Sequence, residues 1–134
     1  MTALDAITEG DYNTAIGYNS LSANTDGDYN AGSGYFALAT NTTGDYNTAF
    51  GMNSLLANST GDKNTGLGFR AGDVISTGSN NVIVGYNADP SANSASNQTV
   101  VGYATTGVAD NSVTLGNADV TAVYMAQDKG ATVY

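Results

Sequence analysis

The stretch GDYNTAIG at residues 10–17 returns as GDYNAGSG at 27–34, GDYNTAFG at 44–51 and GDKNTGLG at 61–68. Its closing glycine then continues in the same seventeen-residue step, from Gly17, Gly34, Gly51 and Gly68 to Gly85 and Gly102, and a shorter step of fourteen leads to Gly116. A fixed period near twenty residues marks a chain made by stacking one small unit on itself. The copies drift toward the C-terminus: GSNNVIVG closes at Gly85, SNQTVVG at Gly102 and NSVTLG at Gly116. Leu4 falls in register with Leu21, Leu38 and Leu55, so residues 4–9 read as the second half of a unit and the chain opens partway round a coil.

Seventeen residues cannot hold two helices and a turn, and the segments between glycines show no apolar recurrence at three and four residues. Short strands fit instead. The residues ahead of each glycine become steadily more β-prone, reaching Val82, Ile83 and Val84, then Thr99, Val100 and Val101, then Val113, Thr114 and Leu115. Gly-Asp, Asn-Thr and Ser-Ala-Asn clusters supply corners, because glycine and asparagine tolerate positive φ and Asx side chains bond the local backbone. The expected fold is all-β: a parallel β-solenoid of seventeen-residue coils, about seven of them over residues 1–118, with residues 119–134 as a C-terminal cap or docking segment. Equivalent side chains then stack about 4.8 Å apart. One column is Asn13, Asn30, Asn47, Asn64 and Asn81; another is Tyr18, Tyr35, Met52, Phe69, Tyr86 and Tyr103. The leucine column stops at Gly72, and Pro90 with residues 91–96 predicts an irregular corner.

Composition bounds the chemistry. The 134 residues include no histidine and no cysteine, which removes the commonest general base, the thiol nucleophile and the usual transition-metal ligands. A serine–lysine pair would have to use Lys63 or Lys129, so no catalytic residue and no cofactor is expected. The net charge of −9 opposes counterion-release binding to nucleic acid and repels anionic membranes, and no run approaches the eighteen apolar residues of a span. Large core residues are scarce. Thr14 and Ile16 share one strand face while Ala15 and Gly17 share the other, smaller one, so a single narrow coil buries little and lateral association is expected, most simply about a threefold axis.

Two columns carry binding chemistry. Asp11, Asp28, Asp45 and Asp62 lie in register, which aligns carboxylates on one edge and suggests either a cation ladder or solvated turn aspartates. The nonapeptide calcium signature is absent, which favours the turn reading. Tyr12, Tyr29 and Tyr46 follow those aspartates, as an aromatic row for lateral packing between chains or for contact with sugar rings. Asn41, Asn58 and Asn97 each open an N-x-[ST] triplet, read as by-products of the corner sequence.

The combination N-T-A-[IF]-G-[YM]-N-S-L with its NT-TG corners resembles the heads of trimeric autotransporter adhesins and the related repeats of bacteriophage tail fibres and other virion appendages. NSVTLG matches the adhesin pattern most closely, and residues 111–134 resemble the segment that in many phage fibres leads into a C-terminal chaperone. The resemblance spans Leu4 to Tyr124. It implies a left-handed parallel β-roll or β-helix whose three chains associate side by side. It further implies a structural and adhesive role at a virion surface or outside the cell, with other virion proteins and host glycans or proteins as partners. The start MTALDAITEG has neither the basic nor the apolar region of a signal peptide, and no heptad stalk or membrane anchor is legible, which tilts the expectation toward a tail fibre, spike or capsid-attached knob. The alternatives are a bacterial trimeric adhesin head and a self-polymerising filament subunit or capsid decoration protein.

Overall fold

The structure, a computed structural model, describes residues 2–123. Seven three-residue strands follow one another: β1 (Thr14–Ile16), β2 (Ala31–Ser33), β3 (Thr48–Phe50), β4 (Thr65–Leu67), β5 (Val82–Val84), β6 (Thr99–Val101) and β7 (Val113–Leu115). They form one parallel sheet in sequence order, the topology of a β-solenoid of about six turns. The register is the seventeen-residue period itself, Thr14 opposite Ala31 and so on to Val82 opposite Thr99. The last step is the shortened one, with Thr99 opposite Val113. Among the described residues no helix is long and apolar enough to cross a membrane.

Strand alternation decides what lies inside. The central residue of each strand points in, so Ala49, Ile83 and Val100 are buried, while the residue after that position, Ile16, Phe50 and Leu67 in β1, β3 and β4, is exposed. The small face is therefore the interior one. The reason is space: Leu21, Leu38 and Leu55 come from the opposite wall and fill the lumen completely buried. A Cβ at Gly66 would lie 2.9 Å from Leu55 Cγ and 2.5 Å from Ser54 Oγ. Beyond Leu55 the column reaches Gly72, and Ile75, Ile83 and Val100 take over the filling from other positions. The distinct C-terminal part is thus a handover of core volume from one wall to the other.

Buried asparagines hold the corners. Asn30, Asn47 and Asn64 donate their own amide N–H to the side-chain oxygen of Asn13, Asn30 and Asn47 in the preceding coil, at 2.8–2.9 Å. Their Nδ2 groups donate to the Gly44, Gly61 and Gly78 carbonyls of the next corner at 2.7 Å. The column ends at Gln98, whose amide donates to Asn81 Oδ1 while its side chain turns away to Ser91 and Asp110. The irregular corner after Pro90 is built by that turn.

The glycine column meets two constraints at once. Gly17 to Gly102 have φ between 116° and 145°, which L side chains avoid, and a Cβ on Gly17 would stand 2.6 Å from the Gly34 carbonyl oxygen. At the C-terminal end Val120 folds back over Gly116, its amide donating to Asn117 at 3.2 Å. Residues 119–123 of the expected cap are therefore seen, while 124–134 lie outside the described residues.

Candidate interaction surface

The outward face of the seven-stranded sheet carries several exposed apolar side chains. Ile16 is 63% exposed, Phe50 61%, Leu67 47% and Leu115 43%, and they lie in one register column along the solenoid, with Ser33 between Ile16 and Phe50 and the partly buried Val84 and Val101 ahead of Leu115. On one side of that column stands the corner series Tyr18, Tyr35, Met52, Phe69, Tyr86 and Tyr103. Its rings stack from coil to coil, Tyr18 on Tyr35 at 5.4 Å, Phe69 on Tyr86 at 5.0 Å and Tyr86 on Tyr103 at 5.5 Å. Phe36 meets Tyr18 and Tyr35 edge-on. On the other side stand Tyr12, Tyr29 and Tyr46.

The structure brings these last three together. Tyr12 and Tyr29 stack with ring centroids 4.8 Å apart and 11° between planes, and Tyr29 and Tyr46 stack at 4.9 Å and 4°. Each has φ near 57°, the left-handed turn that swings the side chain outward after the corner. Tyr29 has a ring against each of its faces, so solvent meets mainly ring edges and phenolic hydroxyls. A sugar ring that seeks an aromatic face finds one free only at the ends of the column, and along its length finds a row of hydroxyl groups. The column stops at Lys63, which occupies the next register position.

The aspartates are structural ties. Asp28, Asp45 and Asp62 each accept, through Oδ1, the backbone N–H of the aspartate one coil earlier at 2.7–2.9 Å. Asp62 in turn donates its amide to Ser79 Oγ at 3.0 Å. One carboxylate oxygen of each of these three is thereby engaged in holding the corner, and no group of three or more acidic, His or Cys side chains is placed to hold a metal ion among the described residues.

The three N-x-[ST] asparagines differ sharply. Asn41 and Asn58 are fully buried and form, with Asn24, a second interior amide column: Asn41 Nδ2 donates to Asn24 Oδ1 at 2.7 Å and Asn58 Nδ2 to Asn41 Oδ1 at 2.8 Å. Their side chains are unreachable in the folded coil. Asn97 is exposed and donates to Asn111 Oδ1. That second column was hidden in the sequence by its position in the corner, although the seventeen-residue spacing of Asn24, Asn41 and Asn58 was there to be seen. No family model, no curated protein and no solved structure matches the chain.

Proposed function

We propose that this chain is a non-enzymatic structural and adhesive element: a left-handed β-roll that assembles as a side-by-side homotrimer in a surface appendage of a phage-like particle. Such an element is a tail fibre, a spike or a capsid-attached knob. The observation that carries the reading is the exposed column Ile16, Phe50, Leu67 and Leu115, flanked by two tyrosine-rich columns, on a narrow coil whose lumen is already filled by Leu21, Leu38 and Leu55. An apolar strip of that length on a rigid rod is the signature of an interaction surface, and a second and third copy of the same strip match it in length, period and flatness. The resemblance of the repeat to virion fibres and trimeric adhesins supports the same assembly. Stiffness comes from the unbroken backbone ladder, and three parallel rows of corners multiply weak contacts with host surface glycans or proteins into avidity.

Mass measurement by light scattering at micromolar concentration tests the assembly. The expected mass is three times that of the chain, and Phe50→Glu together with Leu67→Glu shifts it to one, because each charge would be buried without a partner in the seam. A wild-type monomer overturns the assembly. Tyr29→Ala separates the two uses of the tyrosine row: loss of the trimer assigns it to packing, and an intact trimer that no longer binds cells assigns it to recognition.

A further inference from the structure

The register of Leu21, Leu38 and Leu55 continues through Gly72 to Asp89, which lacks the left-handed backbone of those leucines and is partly buried where they are fully so. Asp89 lies on the joint between the leucine-filled coils and those filled from the other wall. Gly72 donates its amide to Ala88 at 2.8 Å, Asp89 donates to Thr105 at 2.9 Å, and Gly107 donates to the Asp89 carbonyl at 2.8 Å. In the coil below, the Asp73 side chain is only 7% exposed and is salt-bridged to Arg70. The side-chain Oδ1 of Asp89 is buried with no hydrogen-bond partner. Burial first, and the charge of Asp73 second, push the Asp89 pKa up to about 6, against the opposing pull of the Val74 amide, Arg70 and the Asp73 amide. Thr105 and Thr106 face Asp89 from the coil above, and Ala88 and Pro90 flank it; none is charged. Tyr86 bears on Arg70.

We propose that Asp89, set against Asp73 across one coil step, is an acid-operated clasp that tightens the joint between the two halves of the solenoid. The proton comes from solvent and binds the Asp89 carboxylate. It removes a negative charge that faces Asp73 in a poorly solvated corner. The sign follows from linkage: a carboxyl whose folded value lies above its unfolded one adds stability that is fully present below the unfolded value and is lost as pH rises through the folded one. The clasp is closed toward pH 4 and open above about 6.

Two measurements on the intact chain test it. Carboxyl carbon NMR reads the Asp89 midpoint directly, and hydrogen exchange reads the Gly72, Asp89 and Gly107 amides between pH 7.5 and 5 after correction for intrinsic rates. The expected midpoint is about 6, with amide protection rising several-fold on acidification. Asp73→Asn lowers the midpoint, Arg70→Gln raises it, and Asp89→Asn removes the pH dependence of protection at the three amides. An Asp89 midpoint near the ordinary value of about 4 overturns the proposal. So does acid tightening that survives in Asp89→Asn. Should Asp89→Asn fail to fold, the wild-type midpoint and its opposite shifts in the other two variants still decide.

Discussion

At the scale of single residues, this coil is built from conformations that side chains ordinarily avoid. Leu21, Leu38 and Leu55 have φ of 50–52°, and the tyrosine column and the Asn19, Phe36, Asn53, Arg70 and Asn87 column are left-handed too. Each such residue costs about 1–2 kcal/mol relative to an ordinary turn. The leucines persist there because the turn drops their side chains into the lumen. Lys63 has no such compensation: it is exposed, and the same register position carries asparagine at Asn80, Asn97 and Asn111. Lys63→Asn is expected to stabilise the chain by roughly 0.5–1 kcal/mol, because asparagine tolerates this region better; an unchanged or lower denaturation midpoint would contradict that. The interior amides lie at the other extreme. Removing Asn47 strands the Gly61 carbonyl and the Asn64 amide in a buried corner. Asn47→Ala should therefore cost about 3 kcal/mol in a urea titration, from two buried groups left unpaired. A loss below about 1 kcal/mol would mean that water reaches the corner.

At the scale of the element, small residues are matched in pairs across the lumen. Inward strand positions run Ala15, Gly32, Ala49 and Gly66, and the facing positions run Ser20, Ala37, Ser54 and Ala71. Glycine meets serine: Gly32 lies against Ser20 and Gly66 against Ser54, each with no room for another carbon, while the register sets Ala49 at the level of Ala37. Gly66→Ala is expected to destabilise by about 1–3 kcal/mol through overpacking. Adding Ser54→Ala should restore most of it, because the double variant rebuilds the alanine pair of the preceding coil. A coupling energy near zero in the four-variant cycle would show that the pairs do not share the space. The seventeen-residue period made the parallel register and the strand positions legible, since Gly17 to Gly102 fix both. Which strand face turns inward was not legible, because an alanine–glycine face suits a close chain–chain contact as well as a crowded lumen. The leucine column resolves it, but only once the opposite wall is known to stand within one side chain of the strand. Asp89 was missed for a related reason: read along the chain it is a turn residue, and only the folded corner shows that its Oδ1 is buried without a partner.

At the scale of the whole molecule, charge is distributed as unevenly as shape is regular. Residues 2–62 carry Asp5, Glu9, Asp11, Asp26, Asp28, Asp45 and Asp62 and no lysine or arginine, whereas Lys63 and Arg70 both fall in the coil of β4. Stacking brings Asp11, Asp28, Asp45 and Asp62 into one column with only one coil step between neighbours. In extended chain the same charges are several times farther apart, so folding concentrates them and the N-terminal coils bear the repulsion. Side-by-side association of three chains would bring three such columns onto one rod and add to it. Ions screen this: the Debye length falls from about 30 Å at 0.01 M salt to about 10 Å at 0.1 M, so charges several coil steps apart are screened while neighbours one step of about 4.8 Å apart are screened less. Raising sodium chloride from 0.01 to 0.3 M is therefore expected to raise the thermal midpoint by several degrees. Amide protection should improve first in residues 10–62 and least in β5 to β7. The proposed trimer should also dissociate at a lower protein concentration in high salt than in low salt. A midpoint that falls with salt would show that attraction outweighs repulsion in this chain, and would place its stabilising electrostatics at Lys63 and Arg70 instead.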